Sequence, residues 1–159
     1  MDKISVFIDK MLKKGWKINI RDNSEIILSK GISDRYSQIS DEFLHFLKIV
    51  GTCVSEDEKF WFLTLDDYKG LSESAFHWDE IEKMSLSEQD DEYNREIIEF
   101  WNFHLPIVLS VRNGYEYYAI DLRNDVGSIV YGYSPEFEEP EKIANTFIQF
   151  LEMIVENKI

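Results

Sequence analysis

The segment from Leu105 to Tyr133, "LPIVLSVRNGYEYYAIDLRNDVGSIVYGY", constrains the fold more than any other part of this 159-residue chain. Ile107, Leu109 and Val111 fall at alternate positions up to Asn113-Gly114. An Asn-Gly pair between alternating apolar runs is a strong hairpin signal, because a type I′ turn needs positive φ at both central residues. A two-residue turn there pairs Arg112 with Tyr115, Val111 with Glu116, Leu109 with Tyr118 and Ile107 with Ile120. In this register Leu109, Tyr118, Ile107 and Ile120 share the buried face. Tyr115 and Tyr117 share the opposite face with Arg112 and Ser110. A second turn in "RNDVGS" leads to a third strand, "SIVYGY". The expected unit is a three-stranded antiparallel meander.

Around the meander the apolar period changes to that of helices. Ile4, Phe7, Ile8, Met11 and Leu12 form a stripe over Lys3–Lys14, and Gly15 stands at the C-terminal cap. Trp16, Ile18 and Ile20 alternate, Asp22-Asn23-Ser24 interrupt, and Ile26 and Leu28 alternate again, which suggests two short strands. In "SDEFLHFLKIVG", Ser40 is the expected N-cap, with Asp41 and Glu42 in the first turn and Phe43, Phe46, Leu47 and Val50 on one side. "KFWFLTL" (59–65) reads as a strand. "WDEIEKM" and "DDEYNREIIEFW" each suit a helix, the second with Ile97, Ile98 and Trp101 inward and Asp90, Asp91, Glu92 and Glu96 solvated. A last helix is expected from about Glu141, on the stripe Ile143, Phe147, Leu151, Ile154 and Val155. The fold class is therefore α+β, a mostly antiparallel sheet packed by N-terminal, central and C-terminal helices, in one domain spanning 1–159.

Composition narrows the function. The chain holds 31 acidic and 17 basic residues, and 15 of the acids but only 4 of the bases lie in residues 51–110. Such a surface repels phosphates, which argues against direct nucleic-acid binding, and steers a basic protein toward it. No apolar run approaches the ~20 residues of a membrane span. With one cysteine, Cys53, and no signal-peptide pattern at the N-terminus, the expected compartment is the cytoplasm. Cys53 has acidic neighbours, Glu56, Asp57 and Glu58, which raise rather than lower a thiol pKa. His45, His77 and His104 form no close pair, and Asp90-Asp91-Glu92 lacks the spacing and glycine of a calcium loop. There is no GxSxG, no phosphate-cradling glycine loop and no dinucleotide fingerprint. The reading is of a protein without catalytic residues, metal or cofactor, although a chance carboxylate pair remains an alternative that only three dimensions decide.

The order of these elements resembles that of the SUKH superfamily. The resemblance rests on Pro106-Ile107, Asn113-Gly114, Tyr117-Tyr118 with Asp121-Leu122, Gly127, Ile129 with Tyr131, and Ala144, Thr146-Phe147 and Phe150-Leu151. Upstream, Phe43, Phe46 and Leu47 match the family's aromatic helix and "FWFLTLDDY" its following strand. Ser40 replaces a usual proline, and residues 15–35 look more strand-like than the family's second helical stretch. The resemblance implies a protein-binding module. It suggests an immunity protein that occludes a cognate toxin, a nuclease or deaminase that is basic because it binds nucleic acid. The alternative it implies is a regulatory or scaffold module in cell-envelope or glucan-synthesis control. The contact residues expected are Asp90, Asp91, Glu92 and Glu96 for steering, with Tyr115, Tyr117 and Tyr133 as anchors, on a monomer or homodimer.

Overall fold

In a computed structural model, residues 2–22, 28–72 and 76–159 are described. The helices are α1 (Lys3–Lys13), α2 (Lys30–Arg35), α3 (Asp41–Ile49), α4 (Leu65–Tyr68), α5 (Glu80–Ser85), α6 (Asp91–Asn102) and α7 (Phe147–Val155). The strands are β1 (Lys17–Ile20), β2 (Val50–Val54), β3 (Phe60–Phe62), β4 (His104–Ser110), β5 (Glu116–Asp121), β6 (Ile129–Tyr133) and β7 (Glu141–Ala144). The strands form one sheet in chain order, β1 to β7, and every neighbouring pair is antiparallel. The fold is thus α+β, and the predicted meander is its centre.

Helices pack on both faces of that centre, so every residue of β4 and β5 is buried. One face carries α1, α3 and α7 through a cluster of rings, in which Phe46 lies 4.9 Å from Phe62 and 5.3 Å from Phe147. Tyr118 joins this cluster, 5.2 Å from Phe150. The opposite face carries α5 and α6, with Trp101 packed 4.8 Å from Tyr117. A strand covered on both faces has no outward side, whatever its alternation.

The hairpin register differs from the expected one. Leu109 faces Tyr117 and Val108 faces Tyr118, one residue out of step, with a further shift between Pro106 and Val108. Only Gly114 of the Asn-Gly pair has positive φ, so the turn is not type I′. The loop runs through Val111 to Tyr115 and is held from inside by the buried Glu116 carboxylate. That carboxylate accepts from Ser110 Oγ at 3.0 Å, from the Asn113 N–H at 3.2 Å, and from the Tyr131 hydroxyl. A one-residue slip exchanges the faces of a strand, and this is how Leu109 moves to the Tyr117 side.

Four other expectations change. The helix expected from Glu141 starts at Phe147, capped by Thr146, whose Oγ1 accepts the Gln149 N–H at 3.0 Å. Residues 141–144 instead form the edge strand β7 on β6. Leu12 and Ile98, expected inward, are exposed. Ile26 lies outside the described residues, Leu28 is in no strand, and residues 30–35 are helical. The Ser40 cap holds, its Oγ accepting the Phe43 N–H at 3.3 Å.

Candidate functional site

The tyrosine ladder splits three ways. Tyr117 is fully buried, which overturns its expected outward position. Its hydroxyl donates to the Phe137 carbonyl, and burial pushes its pKa well above the ordinary tyrosine value. Tyr118 packs inward as expected, and burial raises it to about 12. Tyr115 and Tyr133 remain at the surface, 46% and 45% exposed, and share one rim of the sheet. The Tyr115 carbonyl accepts the Ser134 N–H at 2.9 Å, which fixes the two tyrosine-bearing segments side by side. The Tyr133 hydroxyl donates to Glu136 at 3.1 Å.

The acidic residues gather on α6. The Asp90 side chain accepts the Tyr93 N–H at 2.9 Å and so caps the helix. Asp91, Glu92 and Glu96 are exposed, and their carboxylates have no hydrogen bond or ion pair among the described residues. Interleaved with them are large apolar side chains, of which Ile98 was expected inward and the others were not singled out as surface residues. Tyr93 and Ile98 are about two-fifths exposed, at 40% and 41%, and Met84 and Leu86 on the preceding α5 turn are similarly open. A signal for Ile98 was present. Neighbouring helical residues point about 100° apart, so Ile97, four residues before Trp101, takes the inward place and leaves Ile98 outside. Met84 also borders one shallow depression with Phe76 and Tyr115, which joins the α5–α6 surface to the tyrosine rim.

Buried polar bonds hold this surface on the sheet. The Arg35 guanidinium, at the end of α2, donates two bonds to Glu82 of α5, at 3.0 and 2.7 Å, and a third to Asn102 Oδ1 of α6 at 2.8 Å. The neighbouring Tyr36 hydroxyl donates to the Trp101 carbonyl at 2.8 Å. Below α6, His104 stacks on Phe100 at 4.0 Å, with its Nδ1 2.7 Å from the Phe100 carbonyl. Burial pushes the His104 imidazole below its ordinary value, and nearby Arg123 adds to this while the Phe100 carbonyl and Asp121 oppose it.

The depressed His104 value gives a pH expectation. The unfolded imidazole takes up a proton as pH falls through about 6.5 while the folded one resists. The stability that His104 contributes is therefore complete above that pH and is lost as pH falls toward the folded value. His104→Gln should flatten the change in urea midpoint between pH 7.5 and 5.5. An unchanged slope would mean that other groups carry it.

Cys53 is buried in β2, and desolvation raises its thiol, so it packs as a small apolar side chain. The acidic neighbours expected to raise it do not contribute to the shift. Among the described residues no group of three or more His, Cys, Asp or Glu is placed to hold a metal ion, and no helix is long and apolar enough to cross a membrane.

These features define an α+β protein built on an antiparallel meander, with its polar chemistry on the outside of α5 and α6. The SMI1 / KNR4 family (SUKH-1) model matches residues 33–153, and the chain belongs to that family, within the SUKH superfamily. Membership fits an immunity-protein or a regulatory role. A search of curated proteins gives no match.

Proposed function

We propose that this protein is an immunity protein that neutralises a cognate toxin by occlusion, with no chemistry of its own. The observation that carries the reading is the α5–α6 surface. Unpaired carboxylates of Asp91, Glu92 and Glu96 share the exposed side of α6 with Tyr93 and Ile98, and Leu86, Met84 and Tyr115 are exposed nearby. Exposed apolar side chains beside unpaired charges are what a protein interface uses, the anchors for residence and the charges for encounter. A nuclease or deaminase toxin is cationic where it grips nucleic acid, and an acidic surface covers that site directly. The cytoplasm is where such a partner has to be met.

The test is protection. Co-expression with a candidate basic toxin domain should restore growth, and purified protein should bind that domain. Asp91→Lys, Glu92→Lys and Glu96→Lys together should slow association about tenfold or more at low salt and flatten its salt dependence. Tyr93→Ala with Ile98→Ala should chiefly raise the dissociation rate. An unchanged association rate in the triple reversal would remove α6 from the interface. Asp90 is left intact because losing its cap would cost about 1 kcal/mol of stability.

A further inference from the structure

Residues four apart on an α-helix lie one above the other on the same side. In α6 one such row is Asn94, Ile98 and Asn102, and both of its ends are tied to other elements. The Asn94 amide takes both backbone groups of Ser87. Its Oδ1 accepts the Ser87 N–H at 2.8 Å, and its Nδ2 donates to the Ser87 carbonyl. Asn102 Oδ1 accepts from Arg35 at 2.8 Å, and the same guanidinium holds Glu82 of α5. The seam between α6 and α5 is thus clasped at each end by polar bonds. Between the clasps Ile98 stands 41% exposed, and Leu86, the residue before Ser87, is 39% exposed.

The charge beside this seam is negative. Asp34, Glu88 and Asp91 are exposed, and their carboxylates have no hydrogen bond or ion pair among the described residues. Asp34 adjoins Arg35 at one clasp, and Glu88 adjoins Ser87 at the other. Arg95, three residues before Ile98, is a base on this flank, so the balance of these four is negative. Arg35 is occupied by Glu82 and Asn102. Tyr93 lies about 140° round the helix from Ile98, beyond the reach of a side chain seated at the seam.

We infer that the seam at Leu86 and Ile98 seats one apolar side chain of a basic partner segment, and that Asn94 is the positioning residue that sets the 86–88 turn for it. Lys or Arg residues flanking that side chain meet Asp34, Glu88 and Asp91, which select their sign. A turn already bonded in place spares the partner the cost of ordering it. Asn94 suits this task because a side-chain amide can accept from the Ser87 N–H and donate to its carbonyl at once. The inference rests on the reading of α5–α6 as the partner surface, and it names the part that holds the anchor.

The probe is the peptide acetyl-Lys-Lys-Phe-Lys-Lys-amide, titrated into ¹⁵N-labelled protein. Its controls are the same peptide with Ser for Phe, and the same peptide with Glu for every Lys. The Phe peptide should shift the amides of residues 86–88 and 97–99 saturably and bind about threefold or more tighter than the Ser peptide. The Glu peptide should not bind. Ile98→Ser should remove the advantage of the Phe peptide, and Tyr93→Ser should keep it. Asn94→Asp keeps the acceptor but turns an oxygen on the Ser87 carbonyl, and it adds a negative charge. It should weaken the Phe peptide while leaving the Ser peptide unchanged or tighter, a split that charge alone does not produce. Asn94→Ala, which removes both bonds without adding charge, should weaken the Phe peptide alone. Equal affinity of the Phe and Ser peptides, shifts centred elsewhere, or Asn94→Asp tightening both would overturn the inference. A candidate basic toxin domain that leaves Ile98→Ser protein no faster than the unaltered protein would discard the seam and keep the immunity reading. Phe-peptide binding at the seam by a protein that binds no toxin domain would discard the immunity reading alone.

Discussion

Gly132→Ala is expected to destabilise the protein by about 3 kcal/mol, the upper end for overpacking a core. Gly132 lies opposite Tyr117 across the β5–β6 ladder, and the tyrosine ring covers it. A Cβ at 132 would sit within 2.6 Å of the Tyr117 Oη, Cζ and Cε1 atoms. The ring has nowhere to go, since Trp101 packs on it at 4.8 Å and its hydroxyl is bonded to the Phe137 carbonyl. Tyr117→Ala alone should cost about 3–5 kcal/mol through the cavity it leaves. Combined with Gly132→Ala, the cost should fall short of the sum by at least about 1 kcal/mol, because the new methyl enters space the ring vacated. Urea midpoints of the two single variants and the double variant measure this. Additive costs would show that the ring and the glycine are not in competition.

Arg35→Ala is the second large effect, about 2–3 kcal/mol. Removing one member of a mostly buried ion pair leaves the other charged and without its partner, which costs up to about 3–5 kcal/mol. The side chains here are 23% and 10% exposed, which discounts that figure. Glu82→Gln should cost less, because an amide can still accept one guanidinium bond. The functional consequence is local. Arg35 ties α2 to α5 through Glu82 and to α6 through Asn102, so its loss should release the α5–α6 surface before the sheet. Hydrogen exchange should show protection falling first in residues 80–102 with β4–β6 unchanged. A uniform fall across the protein would mean that Arg35 has no local role.

The segments legible in the sequence were those where local chemistry and tertiary need agree. Ser40 caps α3 as its position before Asp41 and Glu42 implied, and the 59–65 stretch supplies β3. Residues 141–144 show the opposite case. Ile143 continues the apolar period of Phe147 and Leu151, so periodicity extends the helix to it. The free edge of β6, available only after folding, takes those residues into a strand instead. For the surface, the acids on α6 were visible because charge declares itself in composition. Tyr93 was not singled out and Ile98 was placed inward, because an apolar residue next to a buried one looks like core until the helix is oriented.

The sequence by itself determined the α+β class, the antiparallel meander, the family and the acidity of the outer helices. These follow from short-range periodicity, cap chemistry and formal charge, which need no knowledge of distant neighbours. Only the tertiary structure decided that both sides of the meander are covered. The Glu116 carboxylate, bonded to Ser110, Asn113 and Tyr131, sets the loop and therefore the register. With that register, and with α6 laid over the second face, Tyr117 became core while Tyr115 and Tyr133 stayed outside. The physical reason is that strand alternation separates two faces but says nothing about what covers each one.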